Sequence, residues 1–548
     1  MKFDYIIVGA GSAGSVLAER LSRDGQSSVL LLEAGGDNET LSLRMPAAVL
    51  AHLNSTKHNW AFQGEPEPEL NGRRLQHDRG KTLGGSSSIN GMIFIRGHAR
   101  DYDGWQKSGC EGWGYAHVLP YFKRMENYSH GEDDFRGGSG PLHVQRSAPD
   151  NPLVHAFLKS GEQAGYPGTD DINGYVQEGF GLLDSSIYRG ERWSVVRAYL
   201  DRARPRTNLE IQTNAHVQKI VIDDGRADGV TYHQGGRSAT VRARREVILC
   251  AGAVGTPQIL MVSGVGPADH LQELGIEVLH HLPGVGQNLN DHPDFVMQYE
   301  CLKPVTLWPK TRPVGRIAAG IRWLVTRRGT CASNQFEAVA CIRSDCGVDY
   351  PDLQLTITPV AVDNQTWNVL PSHAFQIHVG LMRAFSRGRI ELRSADPADS
   401  PRIAANYMND SRDREVLRKG IRLVRELIRQ PAFNELCGEE IFPGSRAESQ
   451  SELDAVISSH CNTQWHLSGT ARMGTDGGAV VDGQGRVHGL QGLRVVDASI
   501  MPRVTNGNTN GPTIMIAEKL GDAIVGIEPL PVIETEVWHN PDYMNCQR

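Results

Sequence analysis

The residues best suited to chemistry at the start of this chain are glycines. Gly9-Ala10-Gly11-Ser12-Ala13-Gly14 is a full GxGxxG. Gly9 permits a tight turn. Gly11 lacks the Cβ that would hold a pyrophosphate off the backbone, and Gly14 lets a helix pack closely on a strand. The free N–H groups of that helix, with Ser12 and Ala13 at its start, face the phosphates with the positive end of its dipole. Glu33, followed by Ala34, stands nineteen positions after Gly14. Its carboxylate suits ribose hydroxyls. The motif binds a dinucleotide and does not by itself separate FAD from NAD.

The elements that must hold this cradle are legible around it. Tyr5-Ile6-Ile7-Val8 reads as a short buried parallel strand. Val16, Leu17, Ala18 and Leu21 fall at helical spacing, and Val29 to Leu32 is a second buried strand. Together they make a βαβ unit of about thirty residues. A second small-residue loop contains Gly84, Gly85, Ser86, Ser87 and Asn90, then Gly91 and Met92. Its hydroxyls and N–H groups suit a phosphate or a flat polar ligand edge. Residues 247–266 read as a strand, a glycine turn at Ala251-Gly252, a helix with Pro257 in its first turn, and a glycine stop. Residues 352–358 and 375–381 alternate polar and apolar, as half-exposed strands do, and 388–392 continues the pattern. Such strands suit an antiparallel sheet with one face lining a pocket. Residues 412–429 carry apolar positions at helical spacing, an amphipathic cover helix.

Composition narrows the function. The chain has 548 residues with 56 basic against 63 acidic, a net of −7, which argues against nucleic acid as a partner. No apolar run is long enough to span a membrane. The 60 glycines exceed the roughly 7 % that is usual and gather in short clusters. Nine cysteines are scattered without metal-site spacing, so neither a metal site nor a disulfide framework is expected. With no secretory leader, the expectation is a cytoplasmic protein.

The motifs, in this order, resemble the glucose–methanol–choline (GMC) family of flavin oxidoreductases, and the resemblance runs the length of the chain. Within the family, Asn59-Trp60-Ala61, Glu65-Pro66-Glu67-Pro68 and Val480-Val481-Asp482-Gly483 are most similar to the choline dehydrogenase and alcohol dehydrogenase branch. The resemblance implies an α/β fold with a discontinuous Rossmann-like FAD domain (1–155, 195–298 and 463–528). A substrate domain on an antiparallel sheet follows (156–194 and 299–462), with a surface extension at 529–548. FAD contacts are implied for the two glycine loops and for Val217, Ala251, Gly252, Trp465, Asp497, Ala498, Asn508, Pro512 and Thr513. Ile89 stands where some members carry the histidine that bonds FAD covalently, so the FAD is expected to be non-covalent. His98, a few residues on, is not expected to take over that linkage.

The resemblance also places His466 and Asn510 at the two positions facing flavin and substrate, although Leu467 follows His466 where Pro is usual. Oxidising an alcohol removes a proton from oxygen and a hydride from carbon. The flavin takes the hydride; a histidine near neutral pKa suits the proton. Asn510 can donate to the developing alkoxide without competing for that proton. Asn510-Gly511-Pro512 opens a helix whose positive end would stabilise a negatively charged reduced flavin. For a quaternary ammonium substrate, an aromatic and acidic cage is expected from Trp60, Trp465, Phe336 and Glu337. The expected reaction is oxidation of a primary alcohol, choline-like or another small alcohol, to the aldehyde. Electrons pass to a quinone or other carrier, at the inner membrane surface in a peripheral association, or to O2. The other reading is a hydroxynitrile lyase-like enzyme with structural FAD.

Overall fold

The computed structural model describes residues 2–53, 55–363 and 365–548. The chain opens with β1 (Lys2–Val8), α1 (Ser12–Leu21) and β2 (Val29–Leu32). After many short elements come α2 (Pro152–Gln163) and β3 (Gly179–Leu182). Then follow β4 (Leu209–Gln212), β5 (His216–Asp223), β6 (Arg226–Gln234), β7 (Arg237–Leu249) and α3 (Gly252–Val262). The middle is built from β8 (Pro293–Cys301), α4 (Pro313–Thr326), β9 (Ala338–Ile342), β10 (Leu353–Thr358) and β11 (Ala374–Leu381). It continues with α5 (Ser411–Ile428) and β12 (Cys437–Phe442). Last come β13 (Leu493–Val495) and α6 (Asn510–Val525).

Two seven-stranded sheets organise these elements. The first has the order β4-β2-β1-β7-β6-β5, with β13 also on β7. β4, β2, β1, β7 and β13 pair in parallel, and β7, β6 and β5 form an antiparallel meander. The buried β-branched and leucine runs of β1 and β2 are what a sheet covered on both faces requires. α6 lies against α1, and Arg20 Nη1 meets Glu518 at 3.0 Å between them. Arg124 closes the same junction on Asp522 at 2.6 Å.

The second sheet is antiparallel, in the order β12-β8-β11-β10-β9-β3, with the short strand Asn462–Thr463 on β8. It confirms the expected substrate-side sheet, with two adjustments. β10 is buried along its whole length, and β11 at every position but His378, rather than half-exposed. Gln354, Thr356 and Thr358 face a cavity, while the alternate residues face covering helices. Gly420 of α5 makes that cover close, because an added Cβ would lie 2.5 Å from Val379 of β11. Residues 389–391 pair with 402–404 as a separate ribbon and do not extend the sheet.

The expected boundaries shift slightly. β8 starts at Pro293 and belongs to the second sheet, so the segment 195–298 overruns the first sheet by its last six residues. α2 packs on β3, β9 and β10 and starts at Pro152, four residues before the expected 156. α3 starts at Gly252, which puts Pro257 in its second turn rather than its first. The segment 529–548 is a strap that runs over the surface. Leu530 N donates to the Tyr121 hydroxyl, Trp538 N to the Tyr175 carbonyl, and Arg548 pairs with Glu426. No helix among the described residues is long and apolar enough to cross a membrane.

Candidate active site

Sterics dictate the glycine cradle. At Gly9 (φ 100°) a Cβ would lie 2.6 Å from the Cys250 carbonyl oxygen, and at Gly14 a Cβ would lie 1.9 Å from the Gly9 oxygen. The second loop presses on the first: a Cβ on Gly85 would come within 2.7 Å of Gly11 Cα. Glu33 receives Ala10 N at 2.9 Å and Gly35 N at 2.8 Å, and burial pushes its carboxyl up to about 7.

The cradle opens into a cavity of about 1390 Å³, larger than the roughly 300–1,000 Å³ of ordinary ligand pockets. Gly9, Gly11, Ser12, Ala13, Glu33 and Ala34 line it, as do Gly85, Ser86, Asn90, Gly91 and Met92 of the second loop. So do Val217, Ala251, Gly252, Asp497, Ala498, Asn508 and Thr513. Backbone cradle, acid and room together fit a flavin dinucleotide.

Four residues expected to touch the cofactor do not line the cavity, and each shapes it from behind. Gly14 packs α1 on β1. Gly84 (φ 85°) donates its N–H to the Ala10 carbonyl at 2.8 Å. Ser87 Oγ donates back to the Gly84 carbonyl at 2.7 Å. Pro512 is buried in the first turn of α6, while Thr509, Asn510 and Thr513 bring that turn to the cavity. Asp497 lines the cavity, but its carboxylate is spent on the chain. It accepts from Gly252 N at 2.9 Å and Ser499 N at 2.8 Å, fixing the start of α3. His98 caps the helix Ala99–Lys107 through Nδ1, and Ile89 lines the cavity at its expected position.

The same cavity reaches His466. Its loop is over-determined: Trp465 holds a left-handed φ of 60°, a strained conformation for a bulky residue. Thr463 Oγ1 accepts Trp465 N at 2.7 Å, the indole donates to Gln76 O at 3.0 Å, and Asp291 Oδ1 accepts His466 N at 2.7 Å. Arg79 donates to the Trp465 carbonyl. His466 Nε2 lies 3.1 Å from the Asn508 amide nitrogen, and its Nδ1 lies 2.9 Å from Nδ1 of the buried His292. The Asn508 amide can only donate, so Nε2 carries the lone pair. Nδ1 of His466 then carries the hydrogen and gives it to His292. Burial, with His292 and Arg79 nearby, holds the His466 imidazole well below its ordinary range, so it is neutral. Asn510 also lines the cavity. Its carbonyl accepts from Ser12 Oγ at 2.7 Å, which leaves its amide nitrogen for a ligand.

The expected substrate cage is partly redrawn. Phe336 and Trp465 line the cavity, joined by Trp367, whose ring centroid is 5.5 Å from that of Trp465. Trp60 also lines it but packs against Phe62, His216 and Lys81 instead. Glu337 does not line it. Successive residues entering β9 point to opposite sides, so Phe336 faces in and Glu337 faces Ser333, whose Oγ donates to it at 3.3 Å. A further carboxylate lining the cavity is Asp294, which sequence reasoning missed, together with His292 and His378. Gln376 Nε2 donates to His378 Nε2 at 2.9 Å, so His378 Nδ1 carries a hydrogen and donates it to Asp294 at 2.8 Å. Gln464 adds a donor at 3.1 Å. The available signal was the Asp291-His292-Pro293-Asp294 cluster ahead of a strand.

Two family models described as GMC oxidoreductase match residues 3–294 and 384–517. An oxygen-dependent choline dehydrogenase of Ectopseudomonas mendocina is 51% identical over 97% of this chain and 95% of its own. One from Brucella anthropi is 48% identical over 100% of both. The crystal structure of a pyridoxine 4-oxidase from Mesorbium loti superposes with a TM-score of 0.87 at 30% identity, covering 96% of this chain and 100% of that one.

Proposed function

This chain belongs to the GMC oxidoreductase family, and from that premise we propose that its substrate is choline or a close cationic primary alcohol, oxidised to the aldehyde. It is an FAD-dependent enzyme acting on alcohols. Bound in the cavity, FAD would supply the hydride acceptor that oxidation of the carbinol carbon needs. We assign its binding to the glycine cradle, Glu33 and the loop 84–92, without a covalent bond, because Ile89 offers no nucleophile.

The protein's own residues do the rest. His466 Nε2 takes the hydroxyl proton as the Asn508 amide turns from it to the substrate oxygen, and the hydrogen bond from Nδ1 to His292 keeps the hydrogen off Nε2. The amides of Asn508 and Asn510 donate to the oxygen as it becomes an alkoxide. The positive end of α6 favours negative charge developing beside it. Trp465, Trp367 and Phe336 exclude water and offer ring faces to a quaternary ammonium.

The single observation that carries the choline reading is Asp294: a buried carboxylate that accepts from His378 and Gln464 in the same cavity as His466 and these rings. The relatives named as choline dehydrogenases support it. Resemblance to the dehydrogenase branch makes a carrier such as a quinone the acceptor we favour, although these relatives are named oxygen-dependent. The test is anaerobic: choline should bleach the yellow flavin, and admitted air should restore it only slowly. A flavin that no alcohol bleaches would favour the lyase chemistry, and fast reoxidation would make the enzyme an oxidase.

A further inference from the structure

We propose that the outer face of α4 is a docking surface for an anionic lipid bilayer. An amphipathic helix on a globular protein normally turns its apolar stripe to the core, and α4 does the reverse. Its inner side holds the buried Trp323, whose Nε1 donates to the Gly190 carbonyl at 2.7 Å. Its outer side exposes Val314 (82%), Ile317 (64%), Ile321 (57%), Leu324 (48%) and Val325 (79%). At 100° per residue these five fall in one stripe about 100° wide. Other exposed large apolar side chains are scattered over the described surface, which is normal for a soluble face, whereas a continuous stripe marks an interaction site.

Charge identifies the occupant. Residues 302–330 hold seven basic residues and no acid, in a chain whose net charge is −7. Among the described residues no ion pair neutralises Lys310, Arg312, Arg316, Arg322 or Arg328. An apolar stripe bordered by unpaired cations matches the layering of a membrane surface, with phosphates outside and acyl chains beneath. A second copy of this chain would set basic rim against basic rim across a twofold axis, which like charges oppose. The face also adjoins the active site: Trp308, Lys310, Arg312 and Arg316 line the mouth of the cavity. A bilayer seated on α4 lies beside that opening, within reach of any apolar reactant it carries.

The test is co-sedimentation of the flavin-loaded holoenzyme with vesicles of pure phosphatidylcholine or of phosphatidylcholine containing a third phosphatidylglycerol. Binding to the anionic vesicles only is expected, weakening as salt is raised. The double variant Ile317→Glu, Ile321→Glu should lose at least tenfold in binding while keeping its bound flavin and its turnover with a water-soluble acceptor. Should that variant lose flavin, Arg322→Gln with Arg328→Gln provides the second reading, and severalfold weaker binding is expected. Three results would overturn the proposal: no binding to anionic vesicles at low salt, equal binding by variant and wild type, or a dimer of the wild type that the double variant dissociates.

Discussion

His466 is kept neutral by its surroundings, so its protonation state is a property of the fold rather than of the buffer. The neutral form is the base, and activity is lost as it protonates. Because burial holds its pKa well below the ordinary histidine value, kcat/KM should stay level on the acid side through about pH 6.5 and fall only below it. A pH profile with an acid limb above that value would contradict the assignment. His466→Ala should lower kcat by roughly 10²–10⁴-fold with the 450 nm flavin absorbance retained. Asp294→Asn separates charge from shape: KM for choline should rise about tenfold or more, against little change for its neutral carbon isostere. His466 was legible because a long motif surrounds it. Asp294 was not, because the local Asp291-His292-Pro293-Asp294 cluster does not say which way its side chains turn. Only the register of β8 on β11 brings it beside His378 and into the cavity. Glu337 misled for the complementary reason, being one residue from Phe336 and therefore on the other side of the backbone.

Elements carry the cofactor end. Adding a methyl at Gly14 would drive it into the Gly9 carbonyl, since both are backbone and neither can yield. Gly14→Ala should therefore be recovered with far less flavin per chain, read from the ratio of visible to ultraviolet absorbance. Substitution at Gly112, where an added Cβ meets nothing within 4 Å but φ is 77°, tests backbone strain alone and should leave flavin content near normal. The βαβ unit was readable from sequence because turn, helix and strands are contiguous. β10 was readable as a strand but not as a buried one. Its polar residues face a cavity rather than solvent, and alternation looks the same in both cases.

At the scale of the molecule, buried charge joins segments that are distant in sequence. Arg136 is fully buried and reaches Glu126 at 2.6 Å, Asp184 at 2.8 Å and Asp171 at 2.7 Å. It thus links the segment before α2 to residues around β3. Removing one member of such a set strands the others without a counter-charge. Arg136→Ala should cost about 3–5 kcal/mol, seen as a lower melting temperature by flavin fluorescence. The discontinuity of the first domain was expected from separated motifs, but its junction with the second sheet at Pro293 was not. The strand β8 carries no composition change where it leaves one unit for the other.

The parallel part of the first sheet takes β1 from the beginning of the chain and β13 from residues 493–495, and α6 settles on α1 later still. A ribosome making this protein therefore holds a half-built cradle through nearly the whole message. The nascent chain has to shield the exposed flank of β7 and α1 until the last strand and helix emerge, and only then is there a place for the vitamin-derived cofactor to lodge.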